Sequence, residues 1–195
     1  NLTRHMREYA SVKGGVWTRE TVDSSASNVG LFASLRLDSF GRVHIAYMDL
    51  SHGALRHAVR EVSSSSWWHE IVEGGPDVVG YHCAMTIDPV GNPTISYHDG
   101  TTLALKLARL RPEGWRLSVV DDTPGITGLY SSVACDSSGA THISYWDGTD
   151  YSLRLASAPT ELLEVEPPPV AVGRGLMLAP NPARAGSHVR LAGGE

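Results

Sequence analysis

Between Ser34 and Asp38 the apolar residues Leu35 and Leu37 alternate with polar ones, the period-two pattern of a half-buried strand. The pattern returns with Met85 and Ile87, then with Val133 and Cys135. Each time an Asp-x-x-Gly follows, at Asp38–Gly41, Asp88–Gly91 and Asp136–Gly139. Asp first and Gly fourth predict a type I turn. A second alternating run comes next, with Val43, Ile45 and Tyr47, then Pro93, Ile95 and Tyr97, then Thr141, Ile143 and Tyr145. A third run carries Leu55, Leu105 and Leu153 in ALRHAVR, ALKLARL and SLRLASA, and a fourth opens on tryptophan in WTRETV, WWHEIV and WRLSVV. β-Branched and aromatic residues fill these runs, while Gly, Pro, Asp and Ser separate them. Only the short PTELLEV suits a helix as well as a strand.

The runs repeat at a fixed step. Trp17, Trp67 and Trp115 are separated by 50 and 48 residues, and so are Gly30, Gly80 and Gly128. Asp38, Asp88 and Asp136 keep that step, as do Tyr47, Tyr97 and Tyr145, and Asp49, Asp99 and Asp147. Four strands in about 50 residues is the size of a propeller blade. A β-helix coil is much shorter, and an immunoglobulin-type unit is about twice as long. The expected fold is therefore all-β, a partial β-propeller of about three and a half four-stranded antiparallel blades over residues 1–166. Whole blades fall at 31–73, 81–121 and 129–166, and residues 1–23 supply the outer strands of an incomplete one. The strand before Asp-x-x-Gly is innermost and the Trp-led strand outermost. Closed propellers have about four to eight blades, so the remaining blades are expected in a longer parent chain.

The segments DSFGRVHIAYMD and DSSGATHISYWD resemble the blade repeat of large secreted bacterial propeller proteins. Asp-x-x-Gly also resembles the Asp-box turn of sialidase-like propellers, although the aromatic that follows the Asp-box glycine closely is missing here. The resemblance implies architecture and a secreted or cell-surface location, not a reaction. Residues 167–175 form a Pro-rich linker. After it, residues 176–195, with Pro180, Asn181 and Pro182, resemble the start of a C-terminal sorting or flagellar-hook-cap-like immunoglobulin-like module. An ordinary tail with turn residues is the alternative.

Composition narrows the function classes. The 195 residues are 42% hydrophobic and 19% charged, with a net charge of −5. No run of Lys or Arg occurs, which argues against nucleic acid or an anionic membrane as the main partner. No apolar run approaches the roughly 20 residues of a membrane helix. Cys83 and Cys135 fall at different points of the repeat and read as small buried hydrophobes, which leaves their redox state open. His-Glu-x-x-His, Cys-x-x-Cys, Gly-x-Ser-x-Gly and glycine-rich phosphate loops are missing from the sequence, so no metal, cofactor or nucleophile is expected. His44 and His142 share one repeat position and read as framework. His57 matches Leu107 and Leu155, a structural side chain on a mostly apolar face.

Candidate chemistry collects at one rim. Asp49, Asp99 and Asp147 end their strands and read as turn caps, but strand alternation also brings their loops to one face with the interblade loops DSSASNVGLF, EGGPDVVGYH and DDTPGITGLY. The residue before each Asp varies, as Met48, His98 and Trp146, and variable loops on a repeated scaffold are where function concentrates. The expected ligand-binding set is Asp49, Asp99, Asp147, His98, Trp146, Tyr81, His82 and Tyr130, with Asp77 and Tyr151 nearby. Aromatic faces beside carboxylates suit sugar rings, and they also suit protein anchors. The reading is a non-enzymatic binding or adhesion module for carbohydrate or protein. The alternative is a sialidase-like glycoside-processing enzyme whose catalytic residues lie mostly elsewhere, with Asp77 and Asp122 the carboxylates nearest to breaking the repeat. A purely structural spacer is a third reading.

Overall fold

The computed structural model describes residues 7–25 and 28–159. Strands β1 (Arg7–Lys13) and β2 (Val16–Asp23) form an antiparallel hairpin. Strands β3 (Val29–Leu37), β4 (Val43–Asp49), β5 (Ala54–Arg60) and β6 (Trp68–Glu73) make one four-stranded sheet. A second contains β7 (Val79–Ile87), β8 (Pro93–Asp99), β9 (Leu105–Arg111) and β10 (Gly114–Asp121). A third contains β11 (Leu129–Cys135), β12 (Thr141–Asp147) and β13 (Ser152–Ala158). Every pairing is antiparallel between chain neighbours, the order of propeller blades. Strands β3, β7 and β11 lie innermost, and the described blades do not close into a ring. No helix occurs among the described residues. The fourth strand expected for the third blade, the Pro-rich linker and the C-terminal module lie outside the described residues.

Turn chemistry fixes the repeat locally. Asp38 Oδ1 accepts the amides of Phe40 and Arg42 at 2.9 and 2.8 Å, and the Gly41 amide donates to the Asp38 carbonyl at 3.0 Å. Asp88 and Asp136 hold Gly91 and Gly139 in the same way. These glycines have φ of 81, 93 and 84°, which L side chains resist.

The first and second blades bury their trailing faces under the next blade. Ala46, Leu55 and Val72 of the first blade cluster with Val79, Cys83, Met85 and Tyr97 of the second, and Trp115 packs against them. Leu105 and Leu107 of the second blade meet Val133, Ile143 and Tyr145 of the third. Val22 of the hairpin joins Val43, Ile45 and Tyr47 in the first blade. Two blade tryptophans pack into the seams. Trp67 meets Tyr9 edge-on at 5.5 Å and Trp115 meets His57 at 5.4 Å, whereas Trp17 is exposed. The trailing face of the third blade is uncovered among the described residues. Leu153 is 65% exposed, while its repeat equivalents Leu55 and Leu105 are 0% exposed.

A second tie crosses every seam. The hydroxyls of Tyr47 and Tyr145 donate at 2.7 Å to Asp23 and Asp121, the last residues of the preceding outer strands. Tyr97 donates likewise to Glu73. A cation closes each cluster: Arg56, Lys106 or Arg154 bridges that acid to Asp49, Asp99 or Asp147. Tyr97→Phe removes a donor to a charged, part-buried acceptor. It is expected to lower stability by about 1.5–3 kcal/mol, read as a shift in urea midpoint at unchanged slope.

Candidate functional site

The innermost strands share one irregularity at the same repeat position, and β3 and β7 carry a second at Gly30 and Gly80. Leu31 pairs with Met48 and Ser34 with Ala46, so Phe32 and Ala33 together oppose Tyr47 alone. His82 and Cys83 oppose Tyr97 in the second blade, and Tyr130 and Ser131 oppose Tyr145 in the third. These are β-bulges, which re-aim a side chain and end regular pairing. The first bulge residue has positive φ in all three blades: Phe32 at 54°, His82 at 52° and Tyr130 at 49°. Bulky residues rarely enter this region, and such strain clusters at functional sites.

The bulges bring three rings into a ladder across the blades. Phe32 and His82 have centroids 4.5 Å apart, and His82 and Tyr130 are 4.2 Å apart. The second bulge residue ties each rung to the preceding blade. The Cys83 thiol donates to the Phe32 carbonyl at 3.0 Å, and the Ser131 hydroxyl to the His82 carbonyl at 3.0 Å. Burial pushes the Cys83 thiol up to about 12, so it stays protonated. Both cysteines are free thiols. Burial and the His98 charge hold His82 below the ordinary histidine range. The ladder is open to solvent: Tyr130 is 72% and Phe32 38% exposed.

The other residues expected at the rim divide into two groups. Tyr81 joins the ladder's flank, 5.9 Å from Phe32 and 6.3 Å from His98. Trp146 is half-buried and meets Tyr151, itself at φ 59°, at 6.4 Å. His98 is buried, and its Nδ1 donates to the Thr127 carbonyl at 2.6 Å. Asp49, Asp99 and Asp147 are 0, 0 and 2% exposed. Asp99 Oδ1 accepts the amides of Thr101 and Thr102 at 2.9 and 3.0 Å, and Asp147 Oδ1 those of Thr149 and Asp150 at 2.8 and 3.2 Å. Asp49 takes the His52 amide and ring. Their second oxygens face Arg56, Lys106 and Arg154 at 2.9, 3.3 and 2.8 Å. Amides and cations thus occupy the oxygens of all three carboxylates, which cap their loops.

Two parts of this geometry escape the sequence reading. Phe32 belongs with His82 and Tyr130, a match visible in the 50- and 48-residue step. The acids Asp23, Glu73 and Asp121 and the cations Arg56, Lys106 and Arg154 keep that step too. Among the described residues, no group of three or more His, Cys, Asp or Glu is arranged to hold a metal ion.

No family model and no curated protein matches the chain. Solved structures do. AofleA from Arthrobotrys oligospora superposes with a TM-score of 0.58 at 13% identity, over 81% of this chain and 48% of its own. A protein of unknown function from Dyadobacter fermentans gives 0.52 at 10% identity, over 82% of this chain and 54% of its own. This chain shares their fold. It spans about half the length of these two proteins. A fucose lectin from Kordia zhangzhouensis, solved with methyl-fucoside, gives 0.46 at 17% identity over 66% of this chain and 92% of its own.

Proposed function

We propose that the chain is a carbohydrate-binding module of a secreted or cell-surface propeller protein, and that the ligand lies on the aromatic ladder. The supporting observation is the strained triad Phe32, His82 and Tyr130. Three successive bulges accept an unfavourable backbone to present ring faces at one end of the innermost strands. Sugar rings offer C–H faces to aromatic planes and hydroxyls to polar edges. His82, the Tyr130 hydroxyl and the Tyr81 hydroxyl supply such edges beside the stack. Asp49, Asp99 and Asp147 serve this site by fixing the flanking loops. Trp146 and Tyr151 form a separate aromatic pair on the third blade.

The experiment is a glycan array followed by titration of the best ligand. Tyr130→Ala is expected to weaken binding roughly tenfold, while Tyr130→Phe keeps most of it. Asp88→Ala, in a turn at the far end of the blade, should lower stability and leave affinity unchanged. Full binding by Tyr130→Ala and Phe32→Ala chains would remove the ladder from the site. Retention of a protein but no glycan would replace carbohydrate by a protein ligand.

A further inference from the structure

The first blade contains a buried polar row that the repeat does not require. Where it has His44, His57 and Glu70, the second blade has Thr94, Leu107 and Ser118. Both histidines are buried, with rings stacked at 5.2 Å and 16°. Asp38 Oδ2 lies 3.4 Å from His44 Nε2, His44 Nδ1 lies 3.0 Å from His57 Nε2, and His57 Nδ1 lies 3.1 Å from Glu70 Oε1. The order is carboxylate, imidazole, imidazole, carboxylate.

Counting protons limits the states of this row. An ionised carboxylate only accepts, so each outer link takes one N–H from a ring, and the middle link needs another. Three N–H groups are required, but two neutral imidazoles carry two. The row closes only with one ring as an imidazolium. A fourth proton sets N–H against N–H across 3.0 Å, so it enters only if the rings part. With two protons, one link is empty.

The surroundings favour the three-proton state. Arg42 pairs with Asp38 at 2.5 Å and reaches Glu61 at 3.7 Å. The edge of Trp115, from the second blade, covers His57 at 5.4 Å. Burial raises Glu70, but its bond to His57 more than offsets this and holds it below the ordinary carboxylate range. His44 is pushed down to about 4, first by burial and then by the charge on His57, against the pull of Asp38.

We propose that this row is an acid-sensitive latch at the seam between the first and second blades. With three protons it ties the β3–β4 turn to β6 beneath Trp115; uptake of a fourth parts the rings and loosens the seam. The sign follows from His44, whose folded value lies below the 6.5 of the free side chain. The unfolded chain takes up a proton that the folded chain refuses. The stability due to neutral His44 is complete above about pH 6.5 and is lost as pH falls toward 4.

Two measurements on the full chain decide. Long-range ¹H–¹⁵N spectra of the imidazoles near neutral pH should show one doubly protonated ring and one neutral Nε2–H ring; two neutral rings overturn the proposal. Glu70→Gln should then release the third proton, and its persistence would count equally against the latch. Urea unfolding from pH 7 to 4 is compared with a chain carrying H44T, H57L and E70S, the residues of the second blade. The unfolding constant of the parent should rise over that range by on the order of a hundredfold more than that of the variant. Parallel curves for the two chains overturn the latch. Should the triple variant not fold, the spectra of the parent and of Glu70→Gln still decide.

Discussion

Gly128→Ala is expected to separate the second and third blades and to be among the most damaging single changes in the chain. Gly128 has φ of 82°, and a side-chain carbon built on it would stand 2.8 Å from both Cα and Cβ of Leu105. The left-handed backbone costs an L residue about 1–2 kcal/mol. The overlap is with backbone, which no rotamer change relieves. Leu105 would be pushed away from Val133 and Ile143, its partners in the seam core. The total is expected at about 3–5 kcal/mol, measured as the loss in urea unfolding free energy. Gly114→Ala is the control. Its φ is 115°, but nothing lies within 4 Å of the added carbon, so only a backbone term of about 1–3 kcal/mol applies. Equal losses for the two variants would show that close approach at Gly128 is not what the seam requires.

Asp99→Ala is expected to destabilise the chain by about 3–5 kcal/mol, because it removes one of the two acids that hold a part-buried cation and leaves two loop amides without their acceptor. Lys106 would keep only Glu73, and the Thr101 and Thr102 amides would lose their acceptor. Burial raises the Asp99 carboxyl, but the two amides and Lys106 more than offset this and hold it below its ordinary value. Its stabilisation is present above the unfolded carboxylate value near 3.8 and is lost as pH falls through the lower folded value. Asp99→Asn keeps an acceptor for the loop and loses the charge, so it should fall between parent and Asp99→Ala. An Asp99→Ala chain that melts like the parent but no longer binds glycan would return this carboxylate to the ligand site.

The all-β, blade-by-blade fold was legible because period two, Asp-x-x-Gly and the Trp-led strand all recur at one step, and each is a local preference that packing reinforces. The site was legible only in part. His82, Tyr130 and Tyr81 were singled out as aromatic rim residues, yet the bulge that aims them leaves no mark in an alternating pattern. Phe32, His82 and Tyr130 are chemically unlike, so their equivalence shows in the repeat step and the backbone they share and not in side-chain type. Burial of Asp49, Asp99 and Asp147 was hidden for a different reason. A terminal Asp caps a loop or faces a ligand with the same neighbours in sequence, and the deciding partners, Arg56, Lys106 and Arg154, come from the next strand. His57 looked like a polar substitute for leucine until Glu70 and His44 were seen to bracket it.

The uncovered Leu153 and its buried counterparts bear on how such a gene can change. Because every seam joins the same trailing residues to the same leading residues, duplicating or deleting a 50- or 48-residue period adds or removes a blade and regenerates the seam on each side. Recombination of that kind can alter blade number while keeping the shared apolar seam. The exceptions limit the shuffling. His57 needs Glu70 on one side and Trp115 on the other, and Arg109 donates to Thr141 of the third blade. Blades carrying such private contacts are keyed to their neighbours, so the three described blades have an order that exchange would break.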